Sequence, residues 1–303
     1  MINIPGGEFE MGSNRHYREE RPAIGVSVKP FLLGANAVTN DEYSEFVSET
    51  GYTTVAERPL DPAQFPGAPV ENLLPGSVVF VGTDGVVDRR DHYQWWRWIP
   101  GAYWRQPRGP GSSIRGLGNH PVVHVALEDV EAYASWRGMR LPTEAEWEFA
   151  ARGGLDGAEF TWGQEDLHDD APLANVWLGD FPWRSARPDG AFGTVPVGSY
   201  PPNGYGLHDM AGNVWEWTSD WWSSVRTVET GHACCGGGVI RPVTSAESRD
   251  AQSSIPQKVV KGGSHLCHRD ACFRYRPAAR QPQQVDTGIS HIGFRLAMDA
   301  NSD

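Results

Sequence analysis

The chain has 303 residues, enough for one large domain or two small ones, and its 35 Gly and 23 Pro exclude both a helical bundle and a low-complexity polymer. Hydrophobic residues reach 39%, but 13 Trp, 9 Tyr and 11 Phe add enough bulk for a sizeable core. A formal net charge of -12 argues against nucleic acid or an anionic membrane as partner, since both would be repelled.

Ile2 and Ile4, then Phe9 and Met11 across Pro5-Gly6-Gly7, alternate and predict a short hairpin within residues 2–12. Strand-like runs surround Val26, Val28, Phe31, Leu32 and Leu33. Thr39 or Asn40 caps a helix that carries Tyr43, Phe46 and Val47 at helical spacing and ends at Gly51. Residues 58–92, rich in Pro, Gly and Asp, predict a long irregular excursion. The aromatic run Tyr93, Trp95, Trp96, Trp98, Tyr103 and Trp104 predicts core, with some members free to line a peptide groove. The stretch His120-Pro121-Val122-Val123-His124-Val125 reads as a strand, and residues from about 128 to 138 as a helix. A second helix is capped by Thr143, with Glu146 three residues on, and stops at Gly153-Gly154. Beyond it lie loops and short strands. With no internal repeat and no linker, residues 1–303 read as a single α+β domain of low regular content.

No run approaches the roughly 20 apolar residues of a membrane helix. The first eleven residues lack a basic start followed by an apolar stretch, so a soluble cytoplasmic monomer is expected. Four cysteines do not make a disulfide framework, and in a reducing compartment they would be free thiols or metal ligands. Cys234-Cys235 is a vicinal pair whose disulfide would be strained, and no catalytic role is assigned to it.

The segment with most chemical content is Lys261-Gly262-Gly263-Ser264-His265-Leu266-Cys267-His268-Arg269-Asp270-Ala271-Cys272-Phe273-Arg274-Tyr275-Arg276. Cys267 and Cys272 lie among Arg269, Arg274 and Arg276, and nearby cations favour the thiolate. Two thiolates suit a soft ion such as Cu(I), whereas zinc would want two further ligands. His268 is adjacent, but neighbours in a strand point to opposite faces. By spacing alone, two buried core cysteines would look the same.

The wider pattern adds to this. Gly262-Gly263-Ser264, Cys267-His268-Arg269, Cys272, Arg274-Tyr275-Arg276 and Ala278-Ala279-Arg280 resemble the signature of the formylglycine-generating enzymes, the sulfatase-modifying factor family. Further matches run along the chain, among them Ile4-Pro5-Gly6-Gly7, Leu141-Pro142-Thr143-Glu144-Ala145-Glu146-Trp147-Glu148, Gly212-Asn213-Val214-Trp215-Glu216-Trp217 and His291-Ile292-Gly293-Phe294-Arg295.

The resemblance implies a C-type-lectin-like fold and oxidation of a peptidyl cysteine to formylglycine. The substrate would be an unfolded sulfatase polypeptide or a Cys-x-Pro-x-Arg peptide, with O2 as co-substrate. It implies Cys267 and Cys272 as Cu(I) ligands, with Ser264 and His268 beside the oxygen site. It also implies two structural Ca²⁺ sites, one from Asn175, Val176, Asp189 and Ala191, the other from Asp209, Gly212, Val214 and Glu216. Hard oxygen donors fit calcium, although such clusters are also ordinary turns. Ala271, and Ala126-Leu127 after His124-Val125, depart from the family pattern and bear on the peptide groove. Two other functions are compatible with the scaffold. An iron-dependent sulfur-transfer oxygenase would need His-x3-His-x-Glu, but Ala126 stands where the acid belongs after His120 and His124. A non-catalytic binding module would not need both Cys267 and Cys272.

Overall fold

The computed structural model describes all residues except 64–65, 71–72, 168–171, 188–191, 227, 230–238, 250–252 and 301–303. The two ends of the chain share a sheet. Strands β1 (Ile2–Ile4), β4 (Phe31–Leu33) and β15 (Ala297–Asp299) pair antiparallel in the order β1-β4-β15. The hairpin expected within residues 2–12 does not form. Instead β2 (Gly7–Met11) pairs with β3 (Ile24–Val28), with Phe9 opposite Val26. The cause lies at Gly6, which has φ 68° and passes so close to the next strand that a Cβ would lie 2.6 Å from the Val28 carbonyl. The Gly6-Gly7 turn therefore redirects the chain instead of folding it back.

Three helices follow the sequence closely. Helix α1 (Asn40–Thr50) has Thr39 as N-cap, closed by a capping box with Glu42, and stops at left-handed Gly51. Helix α2 (Leu127–Trp136) has no capping hydroxyl, and the Asp129 carboxylate accepts the Ala126 N–H instead, at 2.8 Å. Helix α3 (Glu144–Arg152) has Thr143 and Glu146 as its capping box and left-handed Gly153 as its stop. Tyr43 of α1 and Tyr133 of α2 stack 5.6 Å apart, with Trp104 and Phe294 packed edge-on to Tyr43. Each such ring contributes roughly 2–3 kcal/mol by burial.

Two other expectations differ from the structure. Residues 58–92 are not wholly irregular, because β5 (Gly76–Phe80) pairs with β6 (Trp96–Pro100), itself part of the aromatic run. Alternation in β5 is obscured by burial on both faces. Residues 120–125 are not a strand. Val122 N–H donates to Val38 and His124 N–H to Ile289, and His124 has φ 62°, which breaks any continuous ladder.

After α3 come a two-residue hairpin, β7 (Gly179–Asp180) with β8 (Arg184–Ser185), and a second, β10 (Val228–Glu229) with β11 (Val239–Ile240). The main sheet runs β13-β12-β9-β14. Its strands are β9 (Trp215–Trp221), β12 (Gln257–Lys261), β13 (Arg280–Gln284) and β14 (Ile292–Gly293). Strand β12 is buried along its whole length, and it delivers the chain to the cysteine segment.

Candidate active site

The cysteine segment begins where β12 ends, at Lys261. Its ammonium is fully buried and donates to Glu148 Oε2 of α3 at 2.9 Å. Glu148 Oε1 accepts from Gly12 N–H and from Arg152 Nη2, each at 2.7 Å. Glu144, one turn earlier, accepts from Arg226 at 2.6 Å and from Arg280 at 2.8 and 3.0 Å. Burial alone would raise the Glu148 carboxyl, but Lys261, Arg152 and Arg226 outweigh it and hold the group down to about 2. The strand end is thus pinned by buried charges, each with a partner.

Gly262 (φ 95°) and Gly263 (φ 72°) then turn the chain. A Cβ on Gly263 would sit 2.9 Å from the Arg274 carbonyl and 3.0 Å from the Tyr275 backbone. That close crossing lays the segment before Cys267 against the segment after Cys272. Cys267 N–H donates to the Ser264 carbonyl, and the Cys267 carbonyl accepts from Trp177 N–H, both at 2.9 Å. The amides of Ala271 and Cys272 both converge on the His268 carbonyl, at 3.0 and 2.7 Å. The segment is therefore a turn and not a strand, so the alternating-face argument about His268 does not apply.

The two sulfurs lie 3.0 Å apart. That is far beyond the roughly 2.05 Å of a disulfide, and both cysteines are free. They are unlike in environment: Cys267 is 1% exposed and Cys272 is half-buried. Burial pushes the Cys267 thiol well up. Cys272 is brought down to about 7, chiefly by the hydrogen bond from Cys267; burial opposes this and the Arg274 guanidinium adds to it. The two thiols are thus driven apart in acidity, with Cys272 the one that gives up its proton first.

Of the three flanking arginines, only Arg274 acts on the sulfurs. Arg269 turns to the Leu167 carbonyl at 2.6 Å and to Asp166 at 3.6 Å. Arg276 is fully buried against both oxygens of Glu20, at 2.9 and 2.6 Å. Arg274 is held by Glu19 at 2.7 Å and lies 3.8 Å over the Tyr17 ring. Tyr17 and Glu19 were not found by sequence reading, and no local signal marks them, because some 255 residues separate Glu19 from Arg274. Ser264 is sealed, with its Oγ accepting from Leu266 N–H at 3.2 Å. His268 is half-buried, with Nδ1 accepting from Asp270 N–H at 3.2 Å.

A reduced two-sulfur pair, one member ionised near neutrality, fits a soft monovalent ion. Among the described residues no group of three or more His, Cys, Asp and Glu is placed to hold a metal, so a four-ligand zinc centre has no donor set here.

The calcium sets fare unequally. Asn175 is buried and Arg187 is in close contact with its Oδ1; its Nδ2 donates to Asn213 Oδ1 at 3.0 Å. Asp189 and Ala191 lie outside the described residues, as do Cys234 and Cys235. In the second set, Glu216 is the buried counter-ion of Arg295, at 2.6 and 2.7 Å, and also accepts from Trp147 at 2.7 Å. It therefore brings no unpaired charge to a calcium ion. Asp209 does fit a cation, since its Oδ1 is buried without a partner while Oδ2 accepts from Gly198 N–H at 2.8 Å. His120 and His124 do not converge, with His120 on Thr194 and His124 between Ser77 and the Pro107 carbonyl.

Comparison with known proteins places this geometry in a family. The formylglycine-generating enzyme of Mycobacterium tuberculosis is 50% identical over 300 residues, which is 99% of this chain and 97% of that protein. The inactive C-alpha-formylglycine-generating enzyme 2 of Mus musculus is 43% identical over 311 residues, covering 99% of this chain and 86% of that one. Overall similarity therefore spans proteins named as active and as inactive, and the chemistry has to be argued from the site. PvdO from Pseudomonas aeruginosa shares the fold, with a TM-score of 0.60 at 23% identity over 98% of this chain and 93% of that one. Residues 1–300 match the sulfatase-modifying factor enzyme 1-like domain, and the chain belongs to that family.

Proposed function

We propose that this protein oxidises a cysteine in an unfolded sulfatase segment, within Cys-x-Pro-x-Arg, to formylglycine. The observation that carries the reading is the reduced Cys267–Cys272 pair, with sulfurs 3.0 Å apart, Cys267 buried and Cys272 half-buried. Cys267 and Cys272 would hold Cu(I), which when bound supplies one-electron redox chemistry toward O2. The chain's own residues set the stage for it. Cys267 is sealed by Trp177 and the Ser264 turn, so it stays fixed. Cys272 is less buried than Cys267 and its thiol is lowered to about 7, so it is the sulfur a substrate thiol would meet. Arg274 balances the added negative charge of thiolates gathered at one point. His268 offers an imidazole one residue from Cys267, and Ser264 shapes the turn beneath. Calcium at Asp209 and Asn175 would tie loops together and take no part in the oxidation.

The test is mass spectrometry of a Cys-x-Pro-x-Arg peptide incubated in air with copper-loaded protein. Loss of sulfur and gain of a carbonyl at the peptide cysteine is the expected product. An unmodified peptide, with copper bound to the pair, would leave a binding module. Absence of copper from the pair would remove the proposal altogether.

A further inference from the structure

We infer that the N-terminal segment from Tyr17 to Glu20 is a positioning clamp that holds Cys272 against Cys267. Five contacts join this short helical turn (Arg18–Glu20) and its preceding residues to Phe273, Arg274 and Arg276, just after Cys272. Tyr17 Oη accepts from Phe273 N–H at 3.1 Å. Glu19 accepts from Arg274 at 2.7 Å, and the guanidinium lies 3.8 Å over the Tyr17 ring. Glu20 grips Arg276 through both oxygens at 2.9 and 2.6 Å. The His16 ring packs edge-on to Phe273 at 5.4 Å. The contacts take residues 273, 274 and 276 in order, so the segment follows the backbone instead of touching it once.

On the other side, the backbone of Arg274 and Tyr275 meets Gly263, whose missing Cβ lets the two stretches cross. Cys272 therefore sits at the end of a stretch held between the N-terminal segment and Gly263. The turn hydrogen bonds to the His268 carbonyl fix its amide, but they do not fix the stretch that leaves it. Glu20–Arg276 is sealed and contributes to folding. Tyr17 and Glu19 are closer to solvent, with the Glu19 side chain 20% exposed, and their contacts end on the residues next to Cys272. Loss of these outer contacts should let the sulfur drift while the fold stays intact. The inference rests on Cys267 and Cys272 working as a pair, but not on which metal or substrate they serve.

The experiment uses the full metal-free, reduced chain and the variants Tyr17→Phe, Glu19→Gln and their double. Diamide is added across a pH series and the rate is read at its high-pH plateau, where a change in Cys272 ionisation no longer contributes. Each diamide takes two electrons from the pair, with the Cys267 thiol proton and one proton from water, as the disulfide closes, and closure is followed by mass spectrometry after acid quench. Alkylation of Cys267 by iodoacetamide is measured in parallel as a gauge of general opening. Closure should slow about fivefold in each single variant, the value of one hydrogen bond, and more in the double, with Cys267 as protected as in the parent. Glu128→Gln, which breaks an exposed ion pair on α2, should leave closure unchanged. Closure in the double variant within twofold of the parent would overturn the clamp. So would equal slowing accompanied by exposure of Cys267, which would mean simple unfolding. Because no peptide or copper is present, failure of the oxidase proposal would leave this result untouched.

Discussion

Replacing Glu148 by Gln should cost more stability at neutral pH than any surface change, and the cost should vanish in acid. Glu148 is fully buried and accepts from Lys261, Arg152 and the Gly12 amide. Its carboxyl is held from 4.5 down to about 2. At about 1.4 kcal/mol per pH unit, that difference is worth about 3 kcal/mol of folding free energy. The folded pKa is depressed, so this stability is fully present above the unfolded value of 4.5 and is lost as pH falls toward 2. Gln keeps the shape but turns an N–H toward donors and leaves Lys261 with only Glu144, 3.9 Å away, as a counter-charge, a loss of about 3–5 kcal/mol. Urea unfolding of parent and variant between pH 7 and 3 should show a gap of that size, narrowing steadily below about pH 4.5. A gap that is constant with pH, or one under about 1 kcal/mol at pH 7, would refute the view that buried charge pins the strand entering the site.

Three further outcomes follow from the same geometry. In metal-free protein, iodoacetamide should label Cys272 with a midpoint near 7 and spare Cys267; labelling of Cys267 first would invert the assignment. Gly263→Ala places a Cβ 2.9 Å from the Arg274 carbonyl at φ 72°, and should cost about 1–3 kcal/mol in denaturant unfolding and slow diamide closure of the pair. Asp209 Oδ1 lacks a partner, so millimolar calcium should raise the melting temperature of the parent but less that of Asp209→Asn; an equal rise in both would remove Asp209 from any cation site.

The helices were legible because their signals are local. Thr143 with Glu146 and the glycines at 51 and 153 appear in the structure where the sequence placed them, and of the two candidate caps Thr39 and Asn40 the structure uses Thr39. Strand pairing was less legible. Pro5-Gly6-Gly7 looks like a hairpin turn, yet the partner of β2 lies beyond it, a choice fixed by how closely Gly6 passes Val28. The 120–125 run has strand composition, but left-handed His124 defeats it, and nothing local announces that φ. At the site, the spacing of Cys267 and Cys272 alone does not distinguish a working pair from two core cysteines; the resemblance of the whole 262–280 segment to a family signature is what points to a pair. The arginines were misjudged as a group, because Arg269 and Arg276 answer to Asp166 and Glu20. The Arg295 partner of Glu216, 79 residues away in sequence, is equally without a local signal.

The central claim is that Cys267 and Cys272 share one soft monovalent ion. X-ray absorption of protein loaded with Cu(I) under reducing conditions measures this directly, by counting the sulfur neighbours of the metal. The account predicts one copper per chain with two sulfur ligands, lost in Cys272→Ser. Copper surrounded by nitrogen or oxygen, or bound equally well by Cys272→Ser, would contradict it.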